Sequence, residues 1–456
     1  MSSISNPFVF REYDIRGVAD RDLSDELARD LGRALGTFWA RRDQGRVVVG
    51  RDCRLSSPRL HAALTEGILE SGTSIVDIGM VPTPLMYFTV FDLALDGGVQ
   101  ITGSHNPPED NGFKIMSGKA TLSGDEIAEL RRIIEQSDYV RAEGAQRSEI
   151  DPLPAYEGFV RGNVSFARRD VRFAIDAGNG AAGPAAIAAM SAAGLDPVTL
   201  LCEPDGHFPV HHPDPSQPEN LELLIRTVKE EGLELGIAFD GDGDRIGVID
   251  GRGETLWGDA LMIVFARDVL RRRPGAAILG EVKCSQTLYD DIAKHGGRPI
   301  LWKTGHSLIK KKMKEEGALL AGEMSGHVFF ADRYFGFDDA IYAALRLIEI
   351  VAASDRPLHE LLDGVPKTFA TPELRVECAD DVKFAIVDRV RDHYRKTHDV
   401  IDVDGARVLF GEGAWGLVRA SNTQPVLVLR FEAGTPERLA EIRADVESLV
   451  EQAKVG

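Results

Sequence analysis

Cysteine is scarce in this chain. Four residues in 456 (Cys53, Cys202, Cys284 and Cys378) stand far apart with no CxxC pair. A disulfide framework and a thiolate zinc site are thereby excluded as organising devices, and a reducing compartment is the default. Basic residues are also in deficit, 53 against 72 acids, for a formal net charge of −19. That balance argues against nucleic acid or an anionic membrane as partner, because a phosphate backbone demands a basic face. A small anionic ligand needs only a local cluster of cations. Long apolar runs are missing too: nothing approaches the roughly 18 residues of a membrane span. The opening MSSISNPFVFREYDIRG lacks the basic start and apolar core of a secretory signal. A cytoplasmic protein is expected.

What is present is an ordinary globular composition, 43% hydrophobic and 27% charged. The chain is too long for one core, and about three or four domains are expected from its length. Strand-like apolar runs alternate with helical patterns, as in RVVVGRD (46–52), PRLHAALTEGILESG and TSIVDIGMVPTP. Such alternation predicts three-layer α/β units on largely parallel sheets. Strand-to-turn openings recur in VRFAIDAGNG, LGIAFDGDGD and AAILGEVKCS, hinting at related units. After LLDGVPKTFATPEL the pattern changes to helix, three strands and helix, a smaller α+β domain. The expected division is 1–150, 151–254, 255–367 and 368–456.

Chemistry concentrates in a few stretches. DGDGDR, Asp240 to Arg245, alternates three carboxylates with glycines between two apolar runs. Alternation turns Asp240, Asp242 and Asp244 to one side, and glycine lets the loop curl round an ion. Three carboxylates suit a hard divalent cation, magnesium above all. An EF-hand is excluded: its sixth position, a glycine, is Arg245 here, and its twelfth, a glutamate, is Gly251. TGSHNPPEDNGFKI (102–115) reads at first as a turn, yet Ser104 stands at a strand end, where open α/β sheets present ligand-binding groups. Lys114 returns ten residues later. His105 is an unpromising base for Ser104, since neighbours on an extended chain face opposite ways. RASNTQP (419–425) offers the Arg419 fork, hydroxyls and a turn of N–H groups for a phosphate. GEMSGH (322–327) sets one carboxylate, one hydroxyl and one imidazole among glycines, groups that suit vicinal sugar hydroxyls. DAGNGAAG (176–183) fits a dinucleotide-binding template, but no hydride-transfer constellation accompanies it. KKKMK (310–314) reads as a solvated helix face, whereas Lys283 and His306 follow strands and are better placed for anions. A serine near an acidic loop, cations and a phosphate cradle together point to phosphoryl transfer through a phosphoserine.

In this order, YDIRG, TGSHNPPEDNGFK, DGDGDR, EVKCS, KTGHSLIKKKMKE, GEMSGH and RASNTQPVLVLRFEA resemble the α-D-phosphohexomutase superfamily, most closely its bacterial phosphomannomutase/phosphoglucomutase group. Tyr13, Met324 and Ser421–Asn422–Thr423 side with the hexose enzymes rather than the phosphoglucosamine mutases. The resemblance implies three related α/β domains and a mobile fourth around a central cleft. It implies a phosphate on Ser104, with Asp240, Asp242, Asp244 and the phosphoserine holding Mg2+. Arg245, Lys283 and His306 would contact substrate, Glu323 and Ser325 the sugar hydroxyls, and Arg419, Ser421, Asn422 and Thr423 the distal phosphate. Tyr13 and Arg16 would line the entrance and transfer site. Lys114, with His105 and His327 nearby, is the acid/base candidate. The implied activity is reversible transfer between C1 and C6 of mannose and glucose phosphates by a monomer, with glucose 1,6-bisphosphate as activator. A phosphoglucosamine mutase and a phosphoserine-dependent sugar phosphatase are the alternatives.

Overall fold

The computed structural model describes residues 3–421 and 425–455. Four sheets follow one another along the chain. The first runs, in spatial order, Ile15–Val18, Asp110–Ser117, Gly97–Ile101, Arg46–Arg51, Ser74–Met80 and Arg147–Glu149, with the short Ala120–Thr121 beside Asp110–Ser117. Its alternating valines sort the layers. Val47 and Val49 pack with helix Asp25–Ala40, whereas Val48 joins helix Thr83–Asp92 on the opposite face. Helices Asp25–Ala40 and Ser57–Glu70 meet at paired glycines, where a Cβ on Gly32 would lie 2.2 Å from Leu64 O.

The second sheet is ordered Thr255–Leu256, Ile246–Asp250, Leu235–Phe239, Phe173–Asp176, Val198–Leu200. The third is Arg298–Trp302, Ala277–Glu281, Leu320–Gly322, Val328–Phe330. All three share a plan. Three parallel strands run in succession, in the first sheet after the antiparallel Ile15–Val18. The last of them turns through a tight loop into an antiparallel partner: Gly97–Ile101 into Asp110–Ser117, Leu235–Phe239 into Ile246–Asp250, and Leu320–Gly322 into Val328–Phe330. The sheets are therefore mixed. The three loops so placed are TGSHNPPE, DGDGDR and EMSGH, so the chemical stretches occupy one topological position three times over.

The fourth sheet is antiparallel throughout. Helices Lys383–Tyr394 and Pro436–Val455 contribute to its own apolar core. By contrast, one continuous core runs through the first three domains, from Val48 and Met116 through Ile175 to Ile278 and Leu345. No described helix is long and apolar enough to cross a membrane.

Candidate active site

Ser104 follows the strand Gly97–Ile101 with φ of +49°. That left-handed conformation costs a non-glycine residue about 1–3 kcal/mol and persists only where its surroundings impose it. The Ser104 amide donates to Thr102 Oγ1 at 2.8 Å, and its hydroxyl donates to Asp240 Oδ2 at 2.7 Å. The second domain closes from the other side: a Cβ on Gly241 would lie 2.4 Å from Ser104 O, so only glycine allows this approach. The same turn brings His105 Nδ1 to 3.2 Å from Ser104 Oγ. Here the sequence expectation is corrected, because the rule that neighbours face apart holds for extended backbone and this backbone is left-handed. Burial, with Arg245 and Arg16 close by, holds the His105 imidazole well below its ordinary pKa, which makes it neutral.

Asp240, Asp242 and Asp244 are fully buried, with ligand oxygens within 4.8 Å of one another. Asp240 Oδ1 accepts from the amides of Asp244 and Arg245, both at 3.0 Å. Asp242 Oδ2 accepts from Thr83 Oγ1 at 2.5 Å and from Lys114 Nζ at 2.7 Å, and the same ammonium bonds Asp244 Oδ2. Burial and mutual repulsion push the Asp240 carboxyl well above its usual range and raise Asp244 too. Asp242 is equally buried, but Lys114 and Thr83 pull it down. Lys114, against its own burial, is held charged by these acids. Asp242 Oδ1 and Asp244 Oδ1 are buried without a hydrogen-bond partner. A bare buried acceptor costs about 1–3 kcal/mol, more when charged. Two such oxygens among three carboxylates are therefore a donor set that fits a hard divalent cation.

The acidic turn continues into a charged chain. Arg245 Nε donates to His327 Nε2 at 2.9 Å, and His327 Nδ1 lies 3.0 Å from Asp338 Oδ2. Lys310 Nζ reaches Asp338 Oδ1 at 3.0 Å. The solvated-face reading of KKKMK thus fails at its first residue, whose ammonium is largely buried and whose pKa burial lowers. Its helix turns that residue inward beside the buried Ile309 and Met313.

On the third-domain turn, Glu323 Oε1 accepts from Gly305 N at 2.9 Å, and Ser325 Oγ donates to Glu323 Oε2 at 3.0 Å. The His306 ring lies between Tyr13 (centroids 5.9 Å) and His327 (5.8 Å), and burial keeps it neutral. Tyr13 is pushed up to about 12 by burial, with Arg419 and Glu323 among the charges nearby. Arg16 is held by Asp14 at 2.8 Å and Asn106 Oδ1 at 2.6 Å. Arg419 Nε donates to Asp404 Oδ2 at 3.1 Å, an oxygen that also accepts from Thr304 N. Lys283 pairs across the domain boundary with Glu373 at 3.1 Å. Ser421 is buried, its amide donating to Val426 O at 3.0 Å and its carbonyl accepting from Lys383. Asn422 and Thr423 lie outside the described residues.

Ser104, His105, Lys114, the three aspartates, Arg245 and His327 thus form one contiguous network, joined through His306 and Tyr13 to the Glu323–Ser325 turn. Arg419 and Lys283 are instead paired to acids of the fourth domain. Sequence reasoning missed Thr83, Asp338, Asp404 and Arg54. For Arg54 a signal existed, an Asp-x-Arg at the end of the RVVVGRD strand. Its side chain is wholly buried under the Ser104 turn.

Fold and site together define a four-domain α/β protein with a serine hydroxyl held against an acidic triad at the junction of its first two domains. The chain belongs to the phosphoglucomutase/phosphomannomutase family: the models of α/β/α domains I, II and III match residues 7–141, 156–253 and 257–369, and that of the C-terminal domain matches 373–449. It is 48% identical over 436 residues to a phosphomannomutase/phosphoglucomutase of Pseudomonas aeruginosa, covering 95% of this chain and 94% of that one. It is 44% identical to a phosphoglucomutase of Neisseria gonorrhoeae, covering 99% and 98%. A crystal structure of a phosphoglucomutase/phosphomannomutase family protein from Burkholderia thailandensis matches with a TM-score of 0.93 at 41% identity, covering 99% and 98%.

Proposed function

We propose that this chain interconverts the 1- and 6-phosphates of glucose and mannose through a phosphoserine at Ser104. One observation carries the reading: Ser104 Oγ lies 2.7 Å from Asp240 inside the acidic network, with His105 3.2 Å from the same hydroxyl and Lys114 bonded to the neighbouring Asp242. Phospho-Ser104 gives its phosphoryl group to the free hydroxyl of a hexose monophosphate, and the hydroxyl proton leaves to a base. The 1,6-bisphosphate turns over, and Ser104 takes back the other phosphoryl group. Lys114, which its acid partners hold charged, would be the acid that protonates the departing Ser104 oxygen. The neutral His105 imidazole, with His327 nearby, would be the base that takes the hydroxyl proton, while Arg16 and Arg245 flank the transfer. Asp240, Asp242 and Asp244 would hold magnesium, which would neutralise charge on the phosphoryl group in transit. Glucose 1,6-bisphosphate would restore enzyme that has lost its phosphate.

We take the unit of activity to be a monomer. Four free cysteines suit a reducing cytoplasm. In the cleft, Glu323 and Ser325 take the 3- and 4-hydroxyls and Tyr13 lines the entrance. Lys283, His306, Arg419, Ser421, Asn422 and Thr423 serve the distal phosphate and the sugar.

Reorientation of the bisphosphate exchanges the 3- and 4-hydroxyls but carries the 2-hydroxyl elsewhere. Glu323 and Ser325 can therefore grip the 3,4 pair in both poses, while no fixed group reads C2 in both. A coupled assay on glucose 1-phosphate and mannose 1-phosphate tests this. Their kcat/KM values are expected within about 10–200-fold of each other, the range for a pocket that leaves no polar group unpaired. A ratio beyond roughly ten-thousandfold would refute dual use.

A further inference from the structure

The turn that carries Ser104 has no regular secondary structure between residues 102 and 109, yet it holds a left-handed serine. Its carbonyls converge on one cation. Arg54 Nη2 donates to Ser104 O at 2.7 Å and to Asn106 O at 2.6 Å, while Nη1 donates to Asp110 O at 2.9 Å and to Pro107 O. The side chain is 0% exposed, and Asp52 Oδ2 lies 3.2 Å from Nε. That carboxylate is itself tied to the turn, accepting from Gly103 N at 3.1 Å. Gly103 is required here because a Cβ would lie 2.5 Å from the guanidinium carbon. The second domain covers the assembly. Phe208 lies over the guanidinium at 5.3 Å, and His212 Nε2 bonds His105 O on the same turn.

We infer that Arg54, clamped between Asp52 and Phe208, is the positioning residue that sets the shape of the Ser104 turn and so aims its hydroxyl at the acidic triad. The inference rests on the reading of Ser104 as the phosphoryl carrier. A planar guanidinium can fork to four carbonyls at once, whereas a lysine ammonium is a single point with three donors. The residues assigned to the sugar and the distal phosphate sit on the third and fourth domains, so a loosened turn should slow transfer and leave substrate binding alone. Misplacing a reacting group by about 1 Å costs on the order of 100-fold in rate.

Arg54→Lys is therefore expected to lower kcat by about 100-fold with KM within about threefold of wild type. Single-turnover phosphorylation of Ser104 by glucose 1,6-bisphosphate, read by intact mass, should slow in parallel. Asp52→Asn, which keeps the shape but removes the charge beside the guanidinium, should lower kcat by roughly tenfold with the same split, and it decides the matter should Arg54→Lys fail to fold. Added guanidinium should restore part of the turnover of Arg54→Ala, since the vacated space has the cation's shape. Wild-type kcat and phosphorylation rate in the folded variants, with only a lower Tm, would overturn the inference and leave the phosphoserine reading standing. Failure of wild-type protein to take one phosphoryl group on residues 102–115 would overturn both.

Discussion

The first three domains and the fourth are joined to one another by different physics. Domains one to three share one apolar core, and helix Ala340–Ala352 of the third packs beside helix Ala182–Ala192 of the second. The fourth is attached mostly through polar groups. Arg407 donates to Val282 O and Cys284 O at 2.7 and 2.8 Å, Arg430 donates to Lys283 O at 2.5 Å, and Ser285 Oγ donates to Glu432 Oε1 at 2.9 Å. Among the described residues, Val282, Trp415 and Leu417 make a small apolar patch there, with Leu301 and Leu409 packed against it. Apolar burial has no preferred direction but is lost when surfaces part, so it favours one fixed arrangement. A polar interface exchanges bonds with water at modest net cost, and relative motion is its default. The comparison suggests a division of labour: the Ser104–Asp240 centre is built into the part that the shared core fixes, and Arg419 sits on the part whose polar attachment would let it move.

The largest test strikes the fixed part. Ser104→Ala is expected to lose turnover by about 10⁴-fold or more, the scale seen when a covalent group is removed. Thermal unfolding should be nearly unchanged, because the shared core is untouched. Wild-type-like turnover in this variant would end the phosphoserine reading.

Next comes the acidic triad. Asp242→Asn removes one of the three carboxylates proposed to hold magnesium and one partner of Lys114. Magnesium affinity, measured by titration of activity after chelation, should fall by at least roughly 10–100-fold, the cost of disturbing even an outer-shell partner. Full activity in the presence of excess chelator would mean the triad serves no metal.

A milder effect is expected in the movable part. Arg419→Ala should raise KM with little change in kcat, by about 1.5–3 kcal/mol of charge-assisted bonding, or roughly 10–150-fold. A variant that lost kcat with KM intact would place Arg419 with the transfer chemistry instead.

The smallest effect concerns the seam itself. Lys283 holds the Glu373 carboxyl down to about 2, against an ordinary value of 4.5. A carboxylate whose pKa is depressed by folding stabilises the folded state above its unfolded pKa, and that contribution is lost as pH falls through 4.5 toward 2. Between pH 5 and 3 the fourth domain should therefore loosen before the rest. Hydrogen exchange should rise first in strands Ala414–Ala420 and Val426–Ala433, and Glu373→Gln should flatten the response. Simultaneous opening of all four domains on acidification would break the comparison.

Much of the site was legible because its chemistry is local. Three carboxylates spaced by glycine in DGDGDR turn to one side, and a serine between a strand end and two prolines announces a turn. The strand–helix alternation announced α/β layers for the same reason, since periodicity is a property of neighbours in sequence. The rest depends on partners far along the chain. His105 reaches Ser104 only because the backbone between them is left-handed. Lys310 is buried because Asp338 is brought to it from the hairpin side of the third sheet, and Arg54 matters because a turn fifty residues away folds over it.

By itself, then, the sequence determined which groups this protein owns and the kind of chemistry they suit: a serine, an acidic loop, an arginine whose fork suits a phosphate and a carboxylate that suits vicinal hydroxyls. It also determined that they sit on turns beyond strands. Only the tertiary structure decided that three of those turns occupy one repeated place, after the parallel strands and before the antiparallel one, so that stacking three sheets on a common core brings them together. It alone decided which cations stand paired with which acids. The reason is physical: propensity and periodicity act within a few residues, whereas burial and charge pairing are settled only when distant segments meet.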